Sequence, residues 1–377
     1  LINQKNKFLG QKLYSYEQPL IKLIYFLKNI YILGGLLTTV LRSSALFVLN
    51  LSNEIKPFPL KKNAVIDFIK DINELRKSKN AIILAHYYQV PEIQDIADYV
   101  GDSLGLAQQA AQTEADMIVF AGVHFMAETA KILNPNKLVV LPDLNAGCSL
   151  ADSCPAEPFA AFLKQHPEHM VISYINCSAE IKTMSDLICT SGNAVQLVNA
   201  LPKDQKIIFA PDKNLGAYIN NVTGRQMVLW DGTCEVHDIL SAEAVIRMKI
   251  ENPEALLIAH PECKAQVLEL ADFVGSTTAL LNFTAKSEAQ KFIVATETGI
   301  LHRMQQNSPE KIFLIVPTDE TCSCNDCPYM KLNTIEKLYL ALKNERPAIN
   351  LPADVIAKSR KPIEKMLEMS VQLGLIK

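Results

Sequence analysis

The stretch AHYYQVPEIQDIADYVGDS at residues 85–103 returns, altered but in register, as AHPECKAQVLELADFVGST at residues 259–277. A third copy, SYINCSAEIKTMSDLICTS, occupies residues 173–191. When the three are aligned, His86, Tyr174 and His260 stand at the end of an apolar run, and Tyr88, Asn176 and Glu262 follow two residues on. Asp98, Asp186 and Asp272 come twelve residues after the first set, and Ser103, Ser191 and Thr277 come seventeen after it, each opening an apolar helical segment. Self-similarity in a fixed register marks a repeated supersecondary unit.

Outward from these copies, nine short runs rich in Ile, Val and Leu alternate with segments of helical period: AIILAHYY, DMIVFAG, KLVVLPD, MVISYIN, KIIFAPD, MVLWDG, ALLIAHP, KFIVATE and KIFLIVPTD. Runs that are apolar throughout and separated by helices suit parallel strands covered on both faces. The expected fold is α/β: three similar αβα units, each a Rossmann-like parallel sheet, around a pseudo-threefold axis with the active site at its centre. Residues 61–151 with about 335–377 form the first unit, 152–238 the second, and 239–334 the third with a C-terminal cysteine loop.

Residues 1–60 form an apolar N-terminal extension that ends near KPFPLKK, where two prolines and a charge cluster mark a boundary. Lys22, Lys28 and Arg42 interrupt it, leaving no uncharged run of the roughly 18 residues that a spanning helix prefers. The chain begins with Leu, and no Met precedes Met117. Three readings stand: an upstream extension translated from a misplaced start, a membrane or interfacial anchor, or an ordinary apolar helix.

The chain has 377 residues, 49% hydrophobic and 20% charged, with a formal charge of −3, which describes a globular enzyme-sized protein with ample core. No Lys/Arg-rich stripe offers the footprint of a nucleic-acid binder. Nine cysteines without the spacing of a small secreted scaffold suggest a reducing compartment, with the cytoplasm as the default.

The repeated polar positions invite a site. Helix capping explains the three aspartates, and it is also the bland explanation of the three hydroxyls, at about 1 kcal/mol each. Yet strand C-terminal ends and helix N-termini are where α/β units place ligand groups. Converging on one axis, three helix starts would suit a ligand with several phosphate or carboxylate groups. Each unit also ends in a cysteine-bearing loop, with Cys148, then Cys234, then Cys322, Cys324 and Cys327. Three thiolates would leave one metal position open for substrate, whereas four would close it. Taken alone, the C-x-C-x2-C run at residues 322–327 fits zinc, a redox pair or a cluster ligand equally. Cys154, Cys177, Cys189 and Cys263 read as packing thiols. His237, three residues after Cys234, reads as a substrate contact or proton-transfer group. His166, His169 and His302 receive no role.

In order along residues 61 to 377, AHYYQ, DIADYVGDSLGLA, FAGVHFMAETAKIL, PDLNAGCSLADSCP, SYINCSAEIK, TSGNA, APDKNLGAYI, WDGTCEVH, AHPEC and CPYMKLNT resemble the quinolinate synthase family. The resemblance implies condensation of iminoaspartate with dihydroxyacetone phosphate to quinolinate, the precursor of NAD, with loss of phosphate and two waters. It implies a [4Fe-4S] cluster held by Cys148, Cys234 and Cys327, with Cys322 and Cys324 as extra thiols. Some relatives read C-x2-C-x2-C where this chain has C-x-C-x2-C. Family roles fall on Glu262 as principal acid/base and on Tyr88, Tyr174 and His237 as proton-transfer or orienting groups. Asn176, Ser103, Ser191 and Thr277 would hold carboxylate and phosphate, and His86 and His260 would be further substrate ligands. L-aspartate oxidase is the implied functional partner. Two rival readings differ in class: another cluster-dependent hydro-lyase, or a non-catalytic iron–sulfur or zinc sensor.

Overall fold

The computed structural model describes residues 62–318 and 325–376, so the extension at 1–60 and the thiols Cys322 and Cys324 lie outside the described residues. The first sheet contains β1 (Ala81–His86), β2 (Tyr99–Gly101), β3 (Met117–Ala121) and β4 (Leu138–Val140). The second contains β5 (Met170–Tyr174), β6 (Leu187–Cys189), β7 (Ile207–Ala210) and β8 (Val228–Leu229). The third contains β9 (Leu256–Ala259), β10 (Phe273–Val274), β11 (Lys291–Ala295) and β12 (Ile312–Ile315). All three are parallel, and they share one order: β2-β1-β3-β4, β6-β5-β7-β8 and β10-β9-β11-β12.

The two central strands of each sheet carry side chains with no exposed surface, such as Ile83 and Val119, Ile172 and Phe209, and Leu257 and Ile293. Helices on both faces bury them, which is why these strands read as unbroken apolar runs. The nine apolar runs are nine strands. The remaining three, β2, β6 and β10, are the equivalent edge strand of each unit, two or three residues long.

The repeated aspartates are not helix caps. The carboxylates of Asp98, Asp186 and Asp272 accept the strand amides of Ile83, Val171 and Leu257 at 2.8, 2.7 and 2.7 Å. Each aspartate's own amide donates back to the carbonyl of the same strand residue. A loop spanning 15 residues is thereby closed onto its strand three times over. The reason is local: an amide beyond the short outer strand has no ladder partner, and a side-chain oxygen supplies one.

Capping falls instead to neighbouring residues. Asp102 caps the helix Ser103–Gln112 by accepting the Gly105 amide, and Ser276 caps Thr277–Lys286 by accepting that of Ala279. Ser191 lies in a turn ahead of the helix Ala194–Ala200, so it does not open that helix as the sequence pattern suggested. The hydroxyls of Ser103, Ser191 and Thr277 are therefore left for other partners.

The segment after the third sheet divides. The helix Ile335–Asn344 packs on Lys62–Ser78 and β3, whereas Ala353–Gln372 lies against β6 and the helix Ala179–Thr183 of the second sheet. Asn193 donates to Ser370 at 3.0 Å and ties this last helix down. Among the described residues no helix is long and apolar enough to cross a membrane.

Candidate active site

The strand ends of all three sheets border one cavity of about 640 Å³, its mouth included. The thirteen residues singled out from the sequence all line it: His86, Tyr88, Ser103, Cys148, Tyr174, Asn176, Ser191, Cys234, His237, His260, Glu262, Thr277 and Cys327. Register explains the convergence. β1 and β5 end on His86 and Tyr174, β9 ends one residue before His260, and each following turn carries the next polar group inward. Phe125, Met126, Val236 and Met330 add apolar wall, and Tyr329 closes beside the cysteines.

Glu262 is the hub. Its Oε2 lies 2.7 Å from His237 Nδ1 and 3.9 Å from His260 Nδ1, and Tyr174 hydrogen-bonds the same carboxylate. The His237 and His260 rings stack with centroids 4.6 Å apart. Burial alone would raise the Glu262 pKa, yet the two imidazoles and the Tyr174 hydroxyl hold the carboxylate well below its ordinary range. Burial, and then the Glu262 charge, push the Tyr174 phenol well above its ordinary value.

A carboxylate can only accept, so His237 donates from Nδ1. Its Nε2 faces Thr296 Oγ1 at 2.9 Å. Thr296 Oγ1 lies 2.8 Å from Tyr88 Oη, which lies 3.2 Å from Thr277 Oγ1. One continuous chain thus runs from Tyr174 through Glu262, His237 and Thr296 to Tyr88. Thr296 has no exposed surface and was not found from the sequence. Its equivalents are Gly122 and Pro211, so comparison of the copies gave no signal.

His260 Nε2 approaches Ser191 Oγ at 3.3 Å, and His86 Nδ1 accepts the Tyr88 amide at 3.1 Å. Burial, only partly offset by the Glu262 charge and aided by a neighbouring imidazole, lowers both His86 and His260 to about 3. Both rings are therefore neutral at neutral pH. An unfolded chain takes up these two protons near pH 6.5, whereas the folded chain refuses them until about pH 3. The stability tied to the neutral rings is intact above pH 6.5 and is lost as the pH falls below it, by up to about 1.4 kcal/mol per pH unit for each ring. Urea melts of metal-free protein should show midpoints falling between pH 7 and 5, with a shallower fall in His86→Gln. A flat profile would contradict the burial argument.

The cysteines come one from each unit. Cys148 precedes the single turn Ser149–Asp152, with its sulfur facing the Leu150 and Ala151 amides. Cys234 precedes Glu235–Asp238 and faces the His237 amide. Cys327 faces the Tyr329 and Met330 amides just ahead of the turn Met330–Leu332. Amides aimed at sulfur suit a thiolate, a far better acceptor than a thiol. Burial nevertheless pushes Cys148 up to about 12, Cys327 up to about 11 and Cys234 well above its ordinary value. A cationic iron centre is the kind of partner that would hold all three as thiolates, so the donor set fits a three-cysteine cluster.

Cys234, His237 and Glu262 also bring ligand atoms within 4.8 Å of one another. However, the 2.7 Å His237–Glu262 contact is a hydrogen-bond distance. Two donors on one tetrahedral ion with bonds of about 2.0–2.1 Å would stand about 3.3 Å apart. As they stand, His237 and Glu262 form a hydrogen-bonded pair.

Comparison with known proteins is consistent along the folded region. The family model described as "Quinolinate synthetase A protein" matches residues 70–368. The chain is 62% identical over 304 residues to the quinolinate synthase of Microcystis aeruginosa, covering 81% of this chain and 95% of that one. It is 61% identical over 306 residues to that of Thermosynechococcus vestitus, covering 81% and 96%. It is also 61% identical over 304 residues to that of a Synechocystis species, again covering 81% and 96%.

Proposed function

Because the chain belongs to the quinolinate synthase family, we propose that it condenses iminoaspartate with dihydroxyacetone phosphate, releasing phosphate and two waters to form quinolinate for NAD synthesis. The observation that carries this reading is the meeting of three cysteines, one from each unit, with the Glu262–His237 pair in one cavity.

Cys148, Cys234 and Cys327 would hold a [4Fe-4S] cluster. When bound, it supplies one iron with an open position, a Lewis acid that eases departure of hydroxide without net electron transfer. The rest falls to the chain. The substrates bring two carboxylates and a phosphate, yet no Lys or Arg lines the cavity among the described residues. Their charge is met by Ser103, Ser191, Thr277 and Asn176, by neutral His86 and His260, and by the amides and dipoles of the helix starts. Glu262 takes and returns protons at adjacent carbons, His237 orients and shares them, and Tyr174 and Tyr88 hold the two ends of the chain. Condensation and double dehydration both move protons, and a buried relay keeps them from bulk water.

L-aspartate oxidase would supply iminoaspartate. The seven described cysteines are all free, which supports a reducing compartment such as the cytoplasm. Product analysis with iminoaspartate and dihydroxyacetone phosphate tests the proposal. Quinolinate and phosphate formed in equal amounts are expected, whereas a different product would favour another hydro-lyase, and none at all a sensor. Ser103→Ala should raise the KM of one substrate by roughly ten- to hundredfold, the worth of a hydrogen bond to a charged group. Unchanged steady-state constants in Ser103→Ala, Ser191→Ala and Thr277→Ala would remove the hydroxyls from the site.

A further inference from the structure

The third-sheet strand β11 ends at Ala295 and is followed by Thr296 and Glu297. Glu297 has no exposed surface and lines no part of the cavity, yet its carboxylate is fully engaged. Oε1 accepts the Cys327 amide at 3.0 Å and pairs with Lys331 Nζ at 2.9 Å. Oε2 accepts the Gly299 amide at 2.6 Å. Lys331 donates in turn to the Tyr88 carbonyl at 2.8 Å. Gly299 presses on the same place: a Cβ there would lie 2.7 Å from Tyr88 Cα and 2.8 Å from Glu297 Oε2. The carboxylate therefore joins the Cys327 loop of the third unit to the Tyr88 turn of the first.

The second unit offers a partial parallel, in which the carboxylate also caps a helix: Asp212 Oδ1 accepts the Leu215 amide at 2.7 Å at the start of Lys213–Thr223. Asp212 follows β7 at the equivalent position, is fully buried, and has its carboxylate towards the Cys234 amide. The first unit carries Val123 there. Burying a charge is costly unless it is paired and hydrogen-bonded. Capping accounts for Asp212, whereas Glu297 caps no helix and engages its carboxylate with the Cys327 and Gly299 amides and with Lys331.

We propose that Glu297 is the positioning residue for Cys327, fixing that thiolate's place on the cluster through its amide and registering it against Tyr88 through Lys331. The inference rests on the cluster reading above. Without an acceptor at Oε1 the Cys327 amide is buried and unpaired, and its loop swings the sulfur off the iron. The requirement is for an acceptor at that point, and charge as such is secondary.

The test uses the full chain, reconstituted anaerobically with iron and sulfide, and follows cluster loss to a chelator by absorbance together with iron and sulfide content. Glu297→Gln keeps an oxygen on the Lys331 side and should hold its cluster within about threefold of the parental lifetime. Glu297→Leu removes the acceptor and should lose it about ten- to hundredfold faster. Should circular dichroism show that the Leu variant does not fold, Glu297→Asp replaces it, because it keeps the charge, withdraws the acceptor by one methylene and carries the same expectation. Parental lifetimes in the acceptor-less variants, or a Gln variant as labile as they are, would overturn the proposal. A parent that takes up no iron would instead overturn the cluster reading.

Discussion

Anaerobically prepared Cys327→Ser should carry well under the parental iron and sulfide and form no measurable quinolinate, with Cys148→Ser and Cys234→Ser behaving alike. The three sulfurs lie in separate loops, each backed by its own amides, so none can move over to replace another. A serine oxygen keeps the shape but is too weakly acidic to serve as the thiolate did. Cys154→Ser and Cys177→Ser make the contrast. Both thiols sit in the apolar core of the second unit with almost no exposure, so a hydroxyl there costs about 1–3 kcal/mol of stability while the iron stays. Metal and sulfide analysis beside thermal melts separates the two outcomes. A Cys327→Ser protein with a full complement of iron would end the ligand assignment.

Glu262→Gln should lower kcat by at least about 10² while cluster content and substrate affinity persist. At this repeat position the other copies carry Tyr88 and Asn176, so Glu262 is the carboxylate of the set. Neither of the others serves as a base near neutral pH without a large pKa shift. A positioned acid/base group contributes about 10² to 10⁴ in rate. The amide keeps the size of the side chain and can still accept from His237 Nδ1 through its oxygen. What it cannot do is carry a proton back and forth. Single-turnover quinolinate formation on cluster-replete protein reads the effect directly. A near-parental rate would shift the proton work to His237 or Tyr174.

The sequence reveals what repetition and burial make legible. Apolar strands stand out, six central ones and one edge strand of each sheet, and copies in a fixed register expose nine of the thirteen cavity residues, the other four, three cysteines and His237, lying in the loops that end the units. Edge strands such as Phe273–Val274 are too short to carry a period. Asp98 looks like a helix cap in sequence because a cap and a strand-edge acceptor demand the same side chain, and only geometry distinguishes them. Thr296 and Glu297 escaped for the opposite reason. They follow the second long strand of each unit, outside the aligned stretches 85–103, 173–191 and 259–277, and the residues there, Gly122, Pro211 and Thr296 followed by Val123, Asp212 and Glu297, share no single type across the three units. The last helix crosses to the second sheet through contacts such as Asn193 with Ser370, at a separation that no local pattern encodes.

The three aspartate-closed loops have a consequence for the direction of binding. Each staple ties the strand that ends in a ring to the loop that leads to a hydroxyl, at a helix start in the first and third units and in the turn before the helix in the second, so the three berths share a backbone plan. A ligand without symmetry would meet three indistinguishable berths if the side chains matched. They match in the hydroxyls and nearly so in the strand-end rings, and they part company at Tyr88, Asn176 and Glu262. The cavity's asymmetry therefore comes from these three side chains together with His237, whose counterparts three residues after Cys148 and Cys327 are Ala151 and Met330, and the orientation of an unsymmetrical ligand is expected to follow them.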